Sequence, residues 1–287
     1  MTAVQTFTPD RPAGAPPVLL LHGFASSGRQ DWVETGIAAE LAAGGRVVVV
    51  PDLPGHGESP VPAGPAGAPE VAAALLAVAG DGPLDVVGYS LGARLAWELP
   101  ELAPDRVRAV VLGGLSPFEP FAALDVAALR SAVAGGEPGD PMTGMIAAMI
   151  AGASGGDPER AAGLVRLVEG LRGTPFEPKG WAGRTPPVFV AGAQDMMTSG
   201  IENVVALAPG ARLVTVPGDH RGALAGPEFR AVLREALGPA SGTASGTASG
   251  TASGTASGTA SGTASGTASG TASGTASGTA SGPVSGT

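Results

Sequence analysis

Two Gly-x-Ser-x-Gly pentads occur in the chain, Gly88-Tyr89-Ser90-Leu91-Gly92 and Gly152-Ala153-Ser154-Gly155-Gly156. A serine becomes a useful nucleophile only when a neighbouring base accepts its proton, and a turn that projects such a serine needs a strand delivering it and a helix leaving it. Ser90 has both, because LDVVGY precedes it and LGARLAWELPEL follows. Glycines at 88 and 92 suit a sharp turn in which side chains two residues to either side would collide. Ser154 has glycine-rich sequence around it and no strand, and 47 glycines make a chance pentad unsurprising; it reads as a loop between helices.

Histidine is the side chain whose titration suits proton transfer near neutrality, and the chain has three. His22 in LLLHGF and His56 in DLPGHGES precede Ser90 and read as residues that hold loops by hydrogen bonds. His220 in VTVPGDHRGAL follows it, as a base does in the order serine, acid, histidine that accompanies an elbow serine. Asp195 in VFVAGAQDMM lies between the two, directly after a strand, and is the candidate to orient the imidazole and stabilise its charge. Glu119 is the next candidate acid, and Asp219, adjoining His220, reads as a turn residue. Acyl transfer also needs donors aimed at the developing oxyanion, each worth roughly 3 to 4 kcal/mol of barrier; the backbone amides of Leu91 and Phe24 are placed to supply them. The chemistry expected is nucleophilic acyl transfer with no cofactor and no metal.

Those residues must be carried by regular elements. Short apolar runs bounded by Gly, Pro and Asp alternate with longer Ala- and Leu-rich segments, the rhythm of alternating strands and helices. Strands are predicted at 17–23, 46–53, 84–89, 107–114, 187–192 and 211–218, and VQTFT near the start could add an edge strand. Helices are predicted near 31–43, 69–79, 91–102, 199–208 and 227–237. Unbroken Val and Leu runs indicate strands covered on both faces, hence a mostly parallel sheet flanked by helices in an α/β domain spanning 1–239. The long interval after the fourth core strand exceeds what a structureless loop spans. It contains DVAALRSAVA, PMTGMIAAMI and DPERAAGLVRLVEGLR, where Asp157 suits a helix cap and Pro158 the first helical position. A helical cap, inserted at about 116–185 over the carboxyl edge of the sheet, is the prediction.

Beyond residue 239 the chain repeats Ala-Ser-Gly-Thr almost without variation. Nothing in 240–287 buries enough apolar area to offset backbone ordering, so a disordered low-complexity tail is expected. The net charge of -9, with a single lysine, argues against nucleic acid or an anionic membrane as partner. The first residues lack the basic start and apolar stretch of a signal peptide, and MIAAMIAGA is well short of the roughly 20 residues of a membrane helix, so a cytoplasmic protein is expected. The absence of cysteine excludes disulfides and thiolate catalysis. The partner implied is a small-molecule substrate, and the oligomeric state is left open.

LLLHGFASSG, DLPGHGES, GYSLGAR, the Asp195 loop and GDH at 218–220 together resemble the alpha/beta-hydrolase superfamily, in that order, over about residues 4–238. The resemblance implies that fold, with Ser90, Asp195 and His220 as a triad and the Phe24 and Leu91 amides as oxyanion hole. Relatives that open epoxides or remove halide carry aspartate at the elbow, so Ser90 argues against both reactions. HGFASSGRQDW, LPGHGES and GYSLGAR are also similar to the lyases of menaquinone biosynthesis that eliminate pyruvate, where the arginine after the elbow helps to bind an anionic substrate. Arg94 would take that position, although it can instead pair with Glu98 one turn on. Ala93 stands where that group usually has glycine.

Methionine suits adaptable apolar pockets, and Met142, Met145, Met149, Ile146 and Ile150 make an apolar face on one predicted cap helix. The candidate substrate contacts are His22, Tyr89, Arg94, Met145, Met149, Trp181 and Met196, whereas Trp32 and Trp97 read as packing. A serine hydrolase acting on a small to medium apolar carboxylic ester, thioester or lactone is the leading expectation. The lyase, and a non-catalytic ligand receptor on the same fold, are the rivals.

Overall fold

The apolar runs become the centre of a single sheet. The computed structural model describes residues 2–239; the repeat tail expected at 240–287 lies outside the described residues. The strands are β1 (Val4–Phe7), β2 (Val18–Leu21), β3 (Val48–Pro51), β4 (Leu84–Tyr89), β5 (Val107–Gly113), β6 (Val188–Gly192) and β7 (Arg212–Val216). They are ordered β1-β3-β2-β4-β5-β6-β7. Only β1 runs antiparallel, against β3; every other pairing is parallel. Each residue of β2, β3 and β4 is buried, as covering on both faces requires.

The helices are α1 (Ile37–Ala43), α2 (Ala68–Val78), α3 (Leu91–Leu102), α4 (Val126–Val133), α5 (Pro141–Ser154), α6 (Pro158–Gly173), α7 (Glu202–Val205), α8 (His220–Ala225) and α9 (Pro227–Leu237). Alternate strand residues divide between two cores. Leu19, Leu21 and Val86 pack with α2 and α3 on one face, while Leu20, Val87 and Val190 pack with α1 and α9 on the other. The adjacent strands β2 and β4 therefore lead into helices on opposite faces. That reversal opens a crevice at their carboxyl ends, the place where parallel sheets bind ligands.

The interval between β5 and β6 holds α4, α5 and α6. Asp157 caps α6 by accepting from the Glu159 and Arg160 amides, with Pro158 at the first position. Three local expectations change. Residues 31–43 are not one helix: a π-turn at Arg29–Val33 precedes α1, and Gly36 separates them with φ 80°. Ser154 is not in a loop but ends α5, buried, its hydroxyl donating to the Ala151 carbonyl. His220 opens a short helix that its flanking glycines gave no reason to expect. Among the described residues, no helix is long and apolar enough to cross a membrane.

Two buried polar clusters hold the ends of this sheet. At the amino edge, fully buried Asp85 accepts from Arg46 at 2.6 Å and from Arg108 at 2.8 Å, and Arg46 also reaches the Leu237 carbonyl at the end of α9. At the carboxyl edge, the loops after β2 and β3 are stitched together. The Leu53 amide donates to His22 Nε2 at 2.9 Å, the Ala25 amide to His56 Nε2 at 3.0 Å, and the Gly28 amide to Asp52 at 2.8 Å. Each imidazole carries its proton on Nδ1, facing the Gly23 or Pro54 carbonyl, so both rings serve as neutral acceptors. Burial pushes both histidines below their ordinary value, His56 to about 3, where neighbouring His22 and Arg160 add to the effect.

Asp85→Ala leaves two guanidinium groups without their shared partner and is expected to cost about 3–5 kcal/mol, read as a lower urea midpoint at unchanged slope. Asp105→Ala, whose partner Arg184 is as exposed as itself, is expected to cost under about 1 kcal/mol. Below their ordinary value of 6.5 the unfolded chain protonates His22 and His56 more readily than the folded chain does. Stability is thus fully present above that value and falls as pH drops below it, for His56 by up to about 1.4 kcal/mol per unit until its folded value of about 3 is approached, with His22 adding in the same direction. Urea titrations from pH 7 to pH 4 should show a shallower decline for His56→Gln than for the wild type.

Candidate active site

Strand β4 ends at Tyr89 and α3 begins at Leu91, so Ser90 makes the whole turn between them. Its backbone sits at φ 54° and ψ -116°, and with Ala25 it is one of two non-glycine residues at positive φ among the described residues. Such strain costs on the order of 1–3 kcal/mol and persists only where the surroundings enforce it. The surroundings here are backbone. A methyl group on Gly88 would lie 2.2 Å from the Gly92 carbonyl oxygen, and one on Gly92 would lie 2.1 Å from that of Leu21. Both glycines are required because the start of α3 is pressed onto β4 and β2.

Ser90 faces a cavity of about 390 Å³ above the β2/β4 crevice, and His220 lines the same cavity. The imidazole Nδ1 of His220 lies 2.7 Å from Asp195 Oδ2, whose side chain is fully buried while that of His220 is 30% exposed. The other Asp195 oxygen accepts from the Met197 amide at 2.9 Å, which fixes the carboxylate at the start of a 3₁₀ turn after β6. The Tyr89 hydroxyl donates to the His220 carbonyl at 2.6 Å; burial, helped by the Asp195 charge, pushes this phenol above its ordinary value. Asp219 points away, capping α8 through the Arg221 and Gly222 amides, which hold its carboxyl below the usual range.

Phe24 and Leu91 also border the cavity. Neither amide donates to an acceptor among the described residues, and the Leu91 amide is the first of α3, where the helix dipole favours negative charge. The cavity crosses the sheet edge. Phe24, Phe121 and Ile146 belong to the core beneath α2 and α3, whereas Tyr89 and Leu224 belong to the opposite one. Met142, Met145 and Met149 of α5 face into it.

Four of the candidate contacts stand differently from expectation. His22 is fully buried beneath the crevice, bonded to Leu53, and does not reach the cavity. Trp181 packs against Trp97, ring centroids 5.1 Å apart, in a separate groove beside Glu98 and Glu101. Met196 is 81% exposed, because the tight turn that follows Asp195 sends its neighbour Met197 inward instead. Arg94 does border the cavity, but its main partner is Glu119, with Glu98 at 3.7 Å as the lesser one and the Thr174 carbonyl as a further acceptor. Burial pushes the Glu119 carboxyl up from its ordinary value, with Arg94 opposing. Glu119, the second candidate acid, is therefore committed elsewhere. Asp31 was not singled out in the sequence, yet it lies buried against the cavity, accepting from the Gly23 amide at 2.8 Å and from the Ser26 hydroxyl. Its only signal was an acid one turn beyond HGFASSG, which an exposed helix would carry equally well. No group of three or more metal-ligating side chains occurs among the described residues.

Residues 16–133 match the model of the family described as alpha/beta hydrolase fold. The chain is 38% identical over 132 residues to lipase LipV of Mycobacterium tuberculosis, covering 45% of this chain and 46% of that one. It is 39% identical over 102 residues to the pimeloyl-[acyl-carrier protein] methyl ester esterase of Chromobacterium violaceum, covering 36% and 38%. The chain thus spans less than half the length of these curated relatives. Among solved structures it resembles the enol-lactonase of Burkholderia xenovorans, with a TM-score of 0.63 at 19% identity over 82% of this chain and 96% of that one. A hydrolase of Pseudomonas aeruginosa gives 0.61 at 22% identity over 83% and 94%. At such identities the structures speak for the fold alone, and with the sheet order and the strained turn they support a single conclusion: the chain has the alpha/beta-hydrolase fold, and residues 16–133 carry its likeness to that family.

Proposed function

We propose that the protein hydrolyses a carboxylic ester, or a related thioester or lactone, with a small to medium apolar acyl group. The observation that carries this reading is the convergence on one cavity of a strained turn serine and a histidine whose far nitrogen is held 2.7 Å from a buried carboxylate. In the mechanism proposed, Ser90 Oγ attacks the carbonyl carbon while His220 Nε2 takes its proton. Asp195 keeps the Nδ1 proton in place and offsets the imidazolium charge. The carbonyl oxygen, now negative, sits between the Phe24 and Leu91 amides. His220 then gives its proton to the departing alkoxide, and water, activated by the same imidazole, releases the acyl group from Ser90. With α4 to α6 acting as a cap, the methionine face of α5 receives the acyl chain.

Similarity to two curated relatives, a lipase and a methyl ester esterase, supports the ester. Arg94 weighs against the pyruvate-eliminating lyase: its guanidinium is already neutralised by Glu119 in the interior, which leaves little positive field for an anionic substrate.

Hydrolysis of p-nitrophenyl esters of increasing acyl length checks the reading. Turnover is expected in the wild type and a loss of about 10⁴-fold or more in kcat for Ser90→Ala, with Ser154→Ala unchanged. A fluorophosphonate should label Ser90. A folded wild-type protein that neither turns over any ester nor takes the label would sink the proposal and move the receptor reading forward. Met145→Ala and Met149→Ala, which widen the cavity, are expected to shift the preferred acyl chain to greater length, measured as kcat/KM across the same series.

A further inference from the structure

The turn after β2 offers four consecutive amides near the nucleophile, and three are occupied. The Gly23 amide donates to Asp31 Oδ2 at 2.8 Å, that of Ala25 to His56 Nε2 at 3.0 Å, and that of Ser26 back to the Gly23 carbonyl at 3.4 Å. The Phe24 amide, between them, has no acceptor among the described residues. The turn also abuts the nucleophile, since a methyl group on Gly23 would lie 3.4 Å from Ser90 Cβ.

We propose that Asp31 and His56 are positioning residues that clamp the peptides before and after the one carrying the Phe24 N–H, and so aim that amide at the oxyanion. This rests on the hydrolase reading above. The free N–H lies in the peptide between Gly23 and Phe24, and hydrogen bonds on the peptides before and after it, with the Ser26 amide on its own carbonyl, restrict the rotation that would swing that N–H away. The clamp works against a strained backbone, because Ala25 sits at φ 55° without being glycine. Left unheld, that residue relaxes toward negative φ and carries the preceding peptide with it. Both clamps are themselves fixed. The second oxygen of Asp31 accepts from the Ser26 hydroxyl, and the His56 Nδ1 proton faces the Pro54 carbonyl at 3.1 Å, which leaves Nε2 the acceptor. Asp31 and His56 are buried and come from separate loops, so each can be removed independently of the other.

The test is kinetic, with p-nitrophenyl butyrate as substrate and active sites counted by complete fluorophosphonate labelling. Asp31→Ala and His56→Ala are each expected to lower kcat per labelled site by about 10- to 100-fold, short of the 100- to 1,000-fold loss that follows outright removal of an oxyanion donor. KM should stay within about twofold, because a donor that strengthens only in the transition state leaves ground-state binding alone. Asp31→Asn and His56→Gln keep an acceptor oxygen facing the same amide and are expected to recover kcat to within roughly fivefold of the wild type. A purely structural role would reduce the labelled fraction or the melting temperature and leave kcat per site unmoved. That outcome in a folded Asp31→Ala protein overturns the inference while the hydrolase reading stands. A wild type that neither turns over nor takes the label is the failure of the reading itself. Should Asp31→Ala not fold, the comparison of His56→Ala with His56→Gln decides in the same way.

Discussion

The molecule depends on a backbone contact with no room to spare. The first turn of α3 lies directly on β4 and β2, with the Gly92 Cα against the Leu21 carbonyl and the Gly88 Cα against Gly92 itself. Only hydrogen fits at both positions. Because helix and strands touch backbone to backbone, the one residue between them must reverse the chain within a single position, and Ser90 is driven to positive φ. The same contact sets the start of α3 and the turn after β2, each with a free amide, at the edge of one cavity. Reversal of the connections at β2 and β4 leaves this spot uncovered by either helical layer. Strain, access and donors are therefore three consequences of one packing decision, and a larger residue at either glycine would undo them together.

Around that point the rest of the fold acts by holding things still. Asp195 bonds both to His220 and to the amide of its own turn, so the carboxylate cannot rotate away, and the Tyr89 hydroxyl holds the histidine backbone from below. The charges not used in the proposed chemistry are tied off. Arg94 is committed to Glu119, Asp85 to two arginines, and Asp52 to the Gly28 and Glu58 amides. A buried charge without a partner would cost more than the fold can spare. Such neutralisation also keeps stray fields out of a cavity that is otherwise apolar where α5 meets it.

Much of this was legible in the sequence, and the boundary is physical. Strand β4 and helices α3 and α9 fall where periodicity and punctuation place them, since their signals are local: an unbroken apolar run, a glycine pair, a proline at a helix start. The order Ser90, Asp195, His220 could be read because each follows a strand, and parallel strands deliver their ends to one edge. The partner of Arg94 could not, because Glu98 is one helical turn away in sequence whereas Glu119 is 25 positions on and meets it only through the tertiary fold. Trp181 and Met196 were misjudged for a related reason. Which way a side chain points in an irregular segment depends on a turn whose dihedrals no residue type there dictates. Asp31 was missed because a π-turn carries no periodicity of its own.

The three histidines show how burial divides labour among identical side chains. In the proposed reaction the proton-transfer group has to meet both substrate and water, and His220 keeps 30% of its side chain exposed beside the cavity. His22 and His56 are enclosed, five ångströms apart by ring centroid (5.1 Å), and held by their carbonyl partners in the tautomer that leaves Nε2 unprotonated. An enclosed imidazole makes a poor base and a good fixed acceptor, since desolvation suppresses the charged form and with it any exchange of roles. The amides these rings accept belong to the loops after β2 and β3, neither of which has secondary structure to satisfy its backbone. A serine, asparagine or water could accept an amide proton too, but a flat, rigid ring on two side-chain torsions spans the gap between two loops. Neutral histidine is thus the side chain that can bridge loop to loop, leave the interior uncharged, and hold the peptide beside Ser90 in a conformation it would not keep alone.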